Sequence, residues 1–260
     1  MLEIDDLSVT YRKGSDALKG VNLKLHKGKA VVVGPNGSGK TTLLRAALGL
    51  APISRGRVRV FGIDVQSIRT DTRLATNVLE VYRLARLRVK DMISLYAELK
   101  GADPAQSLKM IDDFELGGTL SKWIYELSSG QQKLLGNILA LSFEPRLCLL
   151  DEPFDQVDQS RRLRLAQLLR DFPGEVLLNT HEFGLLDRLG ESALYFMIEG
   201  RLFGSFELSQ LTRLYISRGE VAGALVTLDT SYGKFSVTLD RGEAAITTST
   251  SLERLLEAVA

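Results

Sequence analysis

The sequence predicts an α/β fold: a mostly parallel sheet between helices, with an antiparallel N-terminal β subdomain, an inserted helical subdomain and a small C-terminal α+β appendage. Two short, continuously apolar runs, Ala30-Val31-Val32-Val33 and Leu147-Cys148-Leu149-Leu150, read as strands covered on both faces, and each is followed by a helical stretch. Alternating apolar and polar residues near the N-terminus read as strands with one buried face. Between residues 89 and 99 the period changes, and Val89, Met92, Ile93, Tyr96 and Leu99 fall on one helical stripe. The 260 residues are 45% hydrophobic and 25% charged, with 33 Lys+Arg against 32 Asp+Glu. Such a chain buries a full core, and disorder is excluded as its main state. Balanced charge argues against whole-molecule attraction to nucleic acid. No window approaches the ~18 apolar residues of a membrane helix, and Met1-Leu2-Glu3-Ile4-Asp5-Asp6 lacks the basic flank of an export signal. The single Cys148 can form no internal disulfide, so the reducing cytosol is expected.

Residues 2–9 and 21–25 alternate around the loop Arg12-Lys13-Gly14-Ser15-Asp16 as an antiparallel pair. The apolar strand at 30–33 runs into a glycine-rich turn, and 41–50 then carries strong helix formers and stops at glycine. Residues 57–61 and 62–65 form a further edge pair, after which a helical region extends to about residue 143. The strand at 147–150 is followed by a charged helix over 159–172 and a strand at 176–178; strands alternating with helices imply a parallel sheet. Residues 193–198 and 201–206 form a closing hairpin around Glu199-Gly200. From about Gly219, three short strands are expected at 224–229, 234–240 and 243–248, then a last helix opened by the capping box Thr250-Ser251-Leu252-Glu253. This divides the chain into a main domain over 1–217, its helical subdomain inserted at about 81–136, and an appendage over 218–260.

Gly34-Pro35-Asn36-Gly37-Ser38-Gly39-Lys40-Thr41, followed by Thr42, fits G-x-x-x-x-G-K-[ST] between a buried strand and a helix. Glycines let successive N–H groups turn toward one anion, and the helix N-terminus adds its positive dipole end. Lys40 reaches the β/γ-phosphates and Thr41 holds Mg²⁺, which makes a nucleoside-triphosphate site in a P-loop NTPase core. Asp151-Glu152 ends the apolar strand at the edge where open α/β sheets bind ligands. Asp151 would hold Mg²⁺, and Glu152 could polarise a water toward the γ-phosphate. Alone, such a pair is more often a solvated strand end; the phosphate loop beside it reverses that reading. Leu127-Ser128-Ser129-Gly130-Gln131-Gln132 opens a helix and is either an N-cap or a second anion site.

A phosphate loop, a helical insertion ending in L-S-x-G-Q, an apolar strand ending in D-E-P and a His after the next strand together resemble the ATP-binding cassette ATPases, the nucleotide-binding subunits of ABC transporters. The resemblance covers roughly residues 2–215 and implies a RecA-like, mostly parallel sheet. It implies that Tyr11 stacks on adenine, although a partly buried strand-end Tyr would read alike. Ser128, Ser129, Gly130 and Gln131 would contact the γ-phosphate held by an opposite subunit, and Asp158 would link the two shared sites. Glu152, Lys40 and His181 would be catalytic, with His181 sensing the γ-phosphate. In three places the pattern departs: Ser129 stands for a common glycine, Lys133 for a frequent Arg, and the magnesium-binding glutamine is absent. Its position falls near Glu80, with Asn77 the second candidate.

Implied cofactors are ATP and Mg²⁺. Implied partners are a second ATPase subunit, identical or not, and a separate transmembrane permease that holds the chain on the inner face of the cell membrane; no nucleic acid is expected. The spacing after the phosphate loop resembles the drug- or lipid-export branch. A soluble cassette remodelling a nucleic-acid, ribosomal or metal-cluster assembly is the first rival, though no paired cassette or long coiled-coil arm is present. A P-loop kinase is the second and gives no reason for residues 127–132.

Overall fold

The computed structural model describes residues 1–11, 14, 16–68, 71–78, 86–181 and 183–248. In chain order come β1 (Leu2–Thr10), β2 (Asp16–Leu25), β3 (Lys29–Val33), α1 (Lys40–Ala47), β4 (Ile53–Val60), β5 (Ile63–Asp64) and β6 (Leu74–Thr76). Then follow α2 (Val89–Lys100), α3 (Ala105–Asp113), α4 (Ser129–Leu141), β7 (Leu147–Asp151), α5 (Gln159–Asp171) and β8 (Glu175–Thr180). The chain continues through β9 (Ser192–Ile198), β10 (Arg201–Glu207), β11 (Leu214–Arg218), β12 (Val226–Thr230), β13 (Gly233–Leu239) and β14 (Ala244–Ala245). These elements form two compact units, one of Met1–Ile68 with Asn179–Ala260 and one of Arg69–Leu178.

In the first unit an antiparallel sheet has the order β2-β1-β4-β5. β1 buries Leu2 and Ile4, then Leu7 and Val9. The phase slips by one residue because Asp6 sits at φ 49 in a bulge, which keeps both apolar pairs on one face. α1 lays Leu43, Leu44, Ala46 and Ala47 inward and packs on β1 and β4. It ends as a glycine cap should: Gly49 adopts φ 72. The Leu50 N–H donates to the Arg45 carbonyl and the Gly49 N–H to that of Ala46. Beside this lies the order β10-β9-β3, in which β9 is parallel to β3 and antiparallel to β10. Ala30, Val31, Val32 and Val33 are all buried, as their unbroken apolar run requires.

The C-terminal strands differ from the expected three. They form an antiparallel sheet of order β12-β13-β11-β14, and β11 begins at Leu214, so a boundary at 217/218 falls inside a central strand. Leu214 and Ile216 of β11 are buried with Phe235 and Val237 of β13. The strand is hard to foresee because only a short alternation follows a 3-10 turn at Leu208–Arg213. The strand expected over 243–248 shortens to Ala244–Ala245 before another 3-10 turn, Ile246–Thr248. The capping box and helix expected from Thr250 lie outside the described residues.

In the second unit the strand order is β8-β7-β6, with β6 and β7 parallel in the register Leu74↔Leu147, Ala75↔Cys148 and Thr76↔Leu149. β6 has no sequence signal of its own, since all of its residues are half-buried; pairing with β7 makes it a strand. Its N-terminal side is tied to α2, because the Lys100 ammonium donates to the carbonyls of Thr72 and Leu74. α4 is the central helix, buried from Leu134 to Leu141, and α2 and α3 both pack on it. The α2 stripe holds for Val89, Met92 and Ile93, but Leu99 is 65% exposed and Ala97 is buried instead. Burial in this apolar interior pushes the Cys148 thiol up, so it remains a protonated core side chain.

The position of β11 sets the outcome of truncation. A chain ending at Ser217 strips Leu214 and Ile216 of their cover on β13, removing about 3–6 kcal/mol of apolar burial. It is expected to be insoluble or to melt well below a chain ending at residue 248; equal melting temperatures by calorimetry would contradict this.

Candidate active site

The phosphate loop lies wholly in the first unit. β3 delivers the chain to Gly34, and the turn through Gly37 (φ 79) and Gly39 (φ 109) uses left-handed backbone that glycine adopts without strain. Gly34 is required for a different reason: a Cβ there would stand 2.1 Å from the Met197 carbonyl oxygen and 2.8 Å from Ser38 Oγ. At Gly39 a Cβ would meet the Ala17 carbonyl at 2.7 Å. The loop is braced by Ser38 N–H donating to the Pro35 carbonyl and Gly200 N–H donating to that of Ser38.

Gly39 is the N-cap of α1 and supplies no side-chain cap. The helical ladder begins with Leu43 N–H donating to the Gly39 carbonyl, so the amides before it lie ahead of the ladder at the positive end of the helix dipole. Lys40 is only 6% exposed. Its ammonium donates to the Gly34 carbonyl at 2.7 Å and the Pro35 carbonyl at 3.0 Å. Ser38 Oγ is buried and has no hydrogen-bond partner among the described residues. A buried ammonium on carbonyl oxygens, a buried hydroxyl and a turn with no room for a Cβ at Gly34 or Gly39 together fit a phosphate group. Around them Asn36, Gly37 and Thr41 are exposed and Pro35, Gly39 and Thr42 half-buried. Also in this unit, Tyr11 follows β1 and is 39% exposed, and half-buried His181 follows β8. His181 has packing or polar partners of its own.

The carboxylates lie in the second unit. β7 is buried through Leu150 and ends at half-buried Asp151 and Glu152. Glu152 has φ 43, so the chain leaves the strand through a left-handed residue. The Asp151 backbone is gripped by side chains: Asn77 Oδ1 accepts from its N–H at 2.7 Å, and its carbonyl accepts from Asn77 Nδ2 at 3.2 Å and Lys133 Nζ at 3.0 Å. Asn77, the second candidate for a metal ligand, is fully buried just past the end of β6, beside β7, and its amide is committed to this backbone and to Asn137. Glu80 lies outside the described residues. Neither Asn137 nor the Lys133 contact is foreseen from sequence; a lone amide inside Leu134-Leu135-Gly136-Asn137-Ile138-Leu139 is the available signal.

The L-S-S-G-Q segment forms the start of α4. Ser128 is its N-cap, accepting from Gln131 N–H at 3.3 Å, while Gln131 Oε1 accepts from Ser128 N–H at 3.0 Å, a complete capping box. Ser129 is exposed, so its Cβ meets no crowding from burial. Gly130 has no such freedom, since a Cβ there would stand 2.3 Å from the Gln156 carbonyl oxygen. Asp158 caps α5, accepting from Ser160 Oγ at 2.8 Å, Arg161 N–H at 3.1 Å and Arg161 Nη1 at 2.9 Å. The Ser160 hydroxyl foremost, with Arg161, holds its carboxyl below the usual range. Among the described residues no group of three or more His, Cys, Asp or Glu could hold a metal by itself. Any Mg²⁺ would therefore take oxygens from the nucleotide and from few protein groups, as that cation commonly does.

Replacing Gly34 with Ala tests the loop. The new Cβ forces the strand-to-loop junction off Met197 at about 1–3 kcal/mol of overpacking. ATP affinity, measured by calorimetric titration, is expected to fall about tenfold or more; unchanged affinity would show that this close approach does not shape the site.

The sequence family described as ABC transporter matches residues 18–155. The taurine import ATP-binding protein TauB of Shigella flexneri is 32% identical over 235 residues, covering 86% of this chain and 88% of that protein. TauB of Escherichia coli (strain K12) is 33% identical over 192 residues, covering 70% and 74%. A crystal structure described as a cobalt transport ATP-binding protein, cbiO-2, superposes with a TM-score of 0.91 at 34% identity over 100% of both chains. A dimeric cassette bound to ADP and Pi shares the fold, with a TM-score of 0.69 at 24% identity over 80% of this chain and 99% of that one. The expected likeness to the drug- or lipid-export branch is not supported: these relatives are named for import and for cobalt transport. The chain belongs to the ABC transporter family, with the P-loop NTPase fold of its ATP-hydrolysing, ATP-binding subunits.

Proposed function

We propose that this chain hydrolyses MgATP at two sites shared between the subunits of a head-to-tail dimer, and drives uptake through a separate permease on the inner face of the membrane. The nucleotide half of this reading rests on Lys40, a buried ammonium held on loop carbonyls at the start of α1. Uptake is favoured by the import names of the relatives. Among the described residues no helix is long and apolar enough to cross a membrane.

In this mechanism Lys40 exchanges its carbonyl partners for β- and γ-phosphate oxygens, a stronger, charge-assisted pairing. The amides ahead of the α1 ladder and the Ser38 hydroxyl turn to the same phosphates. Thr41 offers a hydroxyl and Asp151 a carboxylate to Mg²⁺, which when bound neutralises charge on the transferring phosphoryl group. Glu152 takes a proton from the attacking water and His181 donates to the γ-phosphate. The exposed ring of Tyr11 stacks on the adenine base. Ser128, with Ser129, Gly130 and Gln131, faces the γ-phosphate of the partner. Its hydroxyl accepts within the capping box and still has its own hydrogen to donate. Asp158 stands at the start of α5 as the link between the two sites. Glu80 is retained as the residue at the magnesium-linked position.

Glu152→Gln is expected to retain ATP binding and to slow hydrolysis by ~10²-fold or more, so that an ATP-bound dimer accumulates on size-exclusion chromatography. Turnover near that of the parent would remove Glu152 from the role of base. Mixing inactive Lys40→Ala chains with inactive Ser128→Arg chains should restore part of the activity, because one site of the mixed dimer keeps an intact loop and an intact Ser128. No recovery, with mixed dimers demonstrated by cross-linking, would contradict shared sites.

A further inference from the structure

We infer that Asn77 and Asn137 are positioning residues for hydrolysis: a buried amide pair that fixes the backbone on both sides of Glu152 and so sets where the Asp151 and Glu152 carboxylates lie. This rests on the functional reading above and deepens it. Asn77 is 0% and Asn137 1% exposed, and Asn77 Nδ2 donates to Asn137 Oδ1 at 2.7 Å. Asn137 Nδ2 in turn donates to the Pro153 carbonyl at 2.9 Å.

The bonding fixes its own polarity. Asp151 N–H needs an acceptor, which must be Asn77 Oδ1; this turns Asn77 Nδ2 toward Asn137 Oδ1, and that turns Asn137 Nδ2 toward Pro153. The relay therefore reads in one direction, from the Asp151 amide to the Pro153 carbonyl. Its starting point is the end of a ladder. β6 and β7 pair through Thr76↔Leu149, after which β6 stops, and the side-chain amide of Asn77 serves the peptide group of Asp151 as a continued strand would. On its β6 side, β7 is thus held in line two residues past Leu149, the last pair of that ladder.

Glu152 is where this matters. A glutamate at φ 43 is in a sparsely populated region that persists only when its surroundings over-determine it. Here the residue before it is clamped by Asn77 and Lys133, and the residue after it by Asn137. A core packing device would use apolar groups at such depth. Two amides there must satisfy one another completely, and doing so gives the turn directional contacts that apolar side chains lack.

The test compares Asn77→Ala, Asn137→Ala and the double variant with the parent and with Ser107→Ala. The last breaks an equally buried hydrogen bond in the same unit, Ser107 Oγ to Ser142 Oγ at 2.7 Å, away from β7. Each Asn variant is expected to lower kcat about 10-fold or more, with KM for ATP within about threefold. Mn²⁺, used in place of Mg²⁺ and followed by electron paramagnetic resonance, should bind the ATP complex about 10-fold more weakly. The double variant should fall no further than the worse single one, since the pair acts as one device. Ser107→Ala should lose thermal stability and keep kcat. If the Asn variants merely melt earlier and retain kcat and Mn²⁺ affinity per folded molecule, the inference is overturned. If an Ala variant does not fold, Asn137→Ser is judged by the same criteria. A parent without ATPase activity would instead overturn the functional reading, and Mn²⁺ affinity would still report on the clamp.

Discussion

A lysine ammonium withdrawn from water must be surrounded by oxygens, and much of the first unit answers to that demand. Lys40 is carried inward on the first turn of α1, and the carbonyls that receive it belong to Gly34 and Pro35, six and five residues earlier. The chain can fold back so tightly only if its backbone enters conformations and clearances closed to other residues. Gly37 and Gly39 supply left-handed torsions, while Gly34 passes against the Met197 carbonyl with no space for a side chain. β3 must therefore end beside β9, and α1 must begin where the loop returns. A phosphate can then replace the carbonyls without new desolvation of the lysine, because the ammonium is already dry.

The second unit meets the opposite problem, that of holding carboxylates at a strand end without burying their charge. Asp151 and Glu152 remain half-exposed while the flanking peptide groups of Asp151 and Pro153 are held by Asn77, Lys133 and Asn137. Capping performs the same task nearby. Ser128 with Gln131 closes the start of α4, Asp158 with Ser160 and Arg161 closes that of α5, and Gly130 lets the first of these pass against the Gln156 carbonyl. At each place a polar side chain satisfies backbone groups that no regular ladder reaches.

Motifs whose meaning is local were legible from the residues. The phosphate loop needs glycine at fixed offsets and a lysine at the helix start, so its spacing alone states its geometry. The runs at 30–33 and 147–150 announced strands covered on both faces, because only such a strand needs no alternation. The α2 stripe was legible through Val89, Met92 and Ile93 and lost at Leu99, which is exposed while Ala97 is buried. β6 was not legible, since its three half-buried residues become a strand only by pairing with β7.

The sequence by itself determined the phosphate-loop turn, the order of the main elements and the family, because each depends on short-range spacing or on unbroken apolar character. Only the tertiary structure decided that β11 is the centre of the C-terminal sheet, that Gly34 and Gly130 yield to backbone from distant segments, and that Asn77 and Asn137, sixty residues apart, share a hydrogen bond. These depend on which surfaces meet. A buried amide is written like an exposed one, and its function is set by the partner that the fold brings to it.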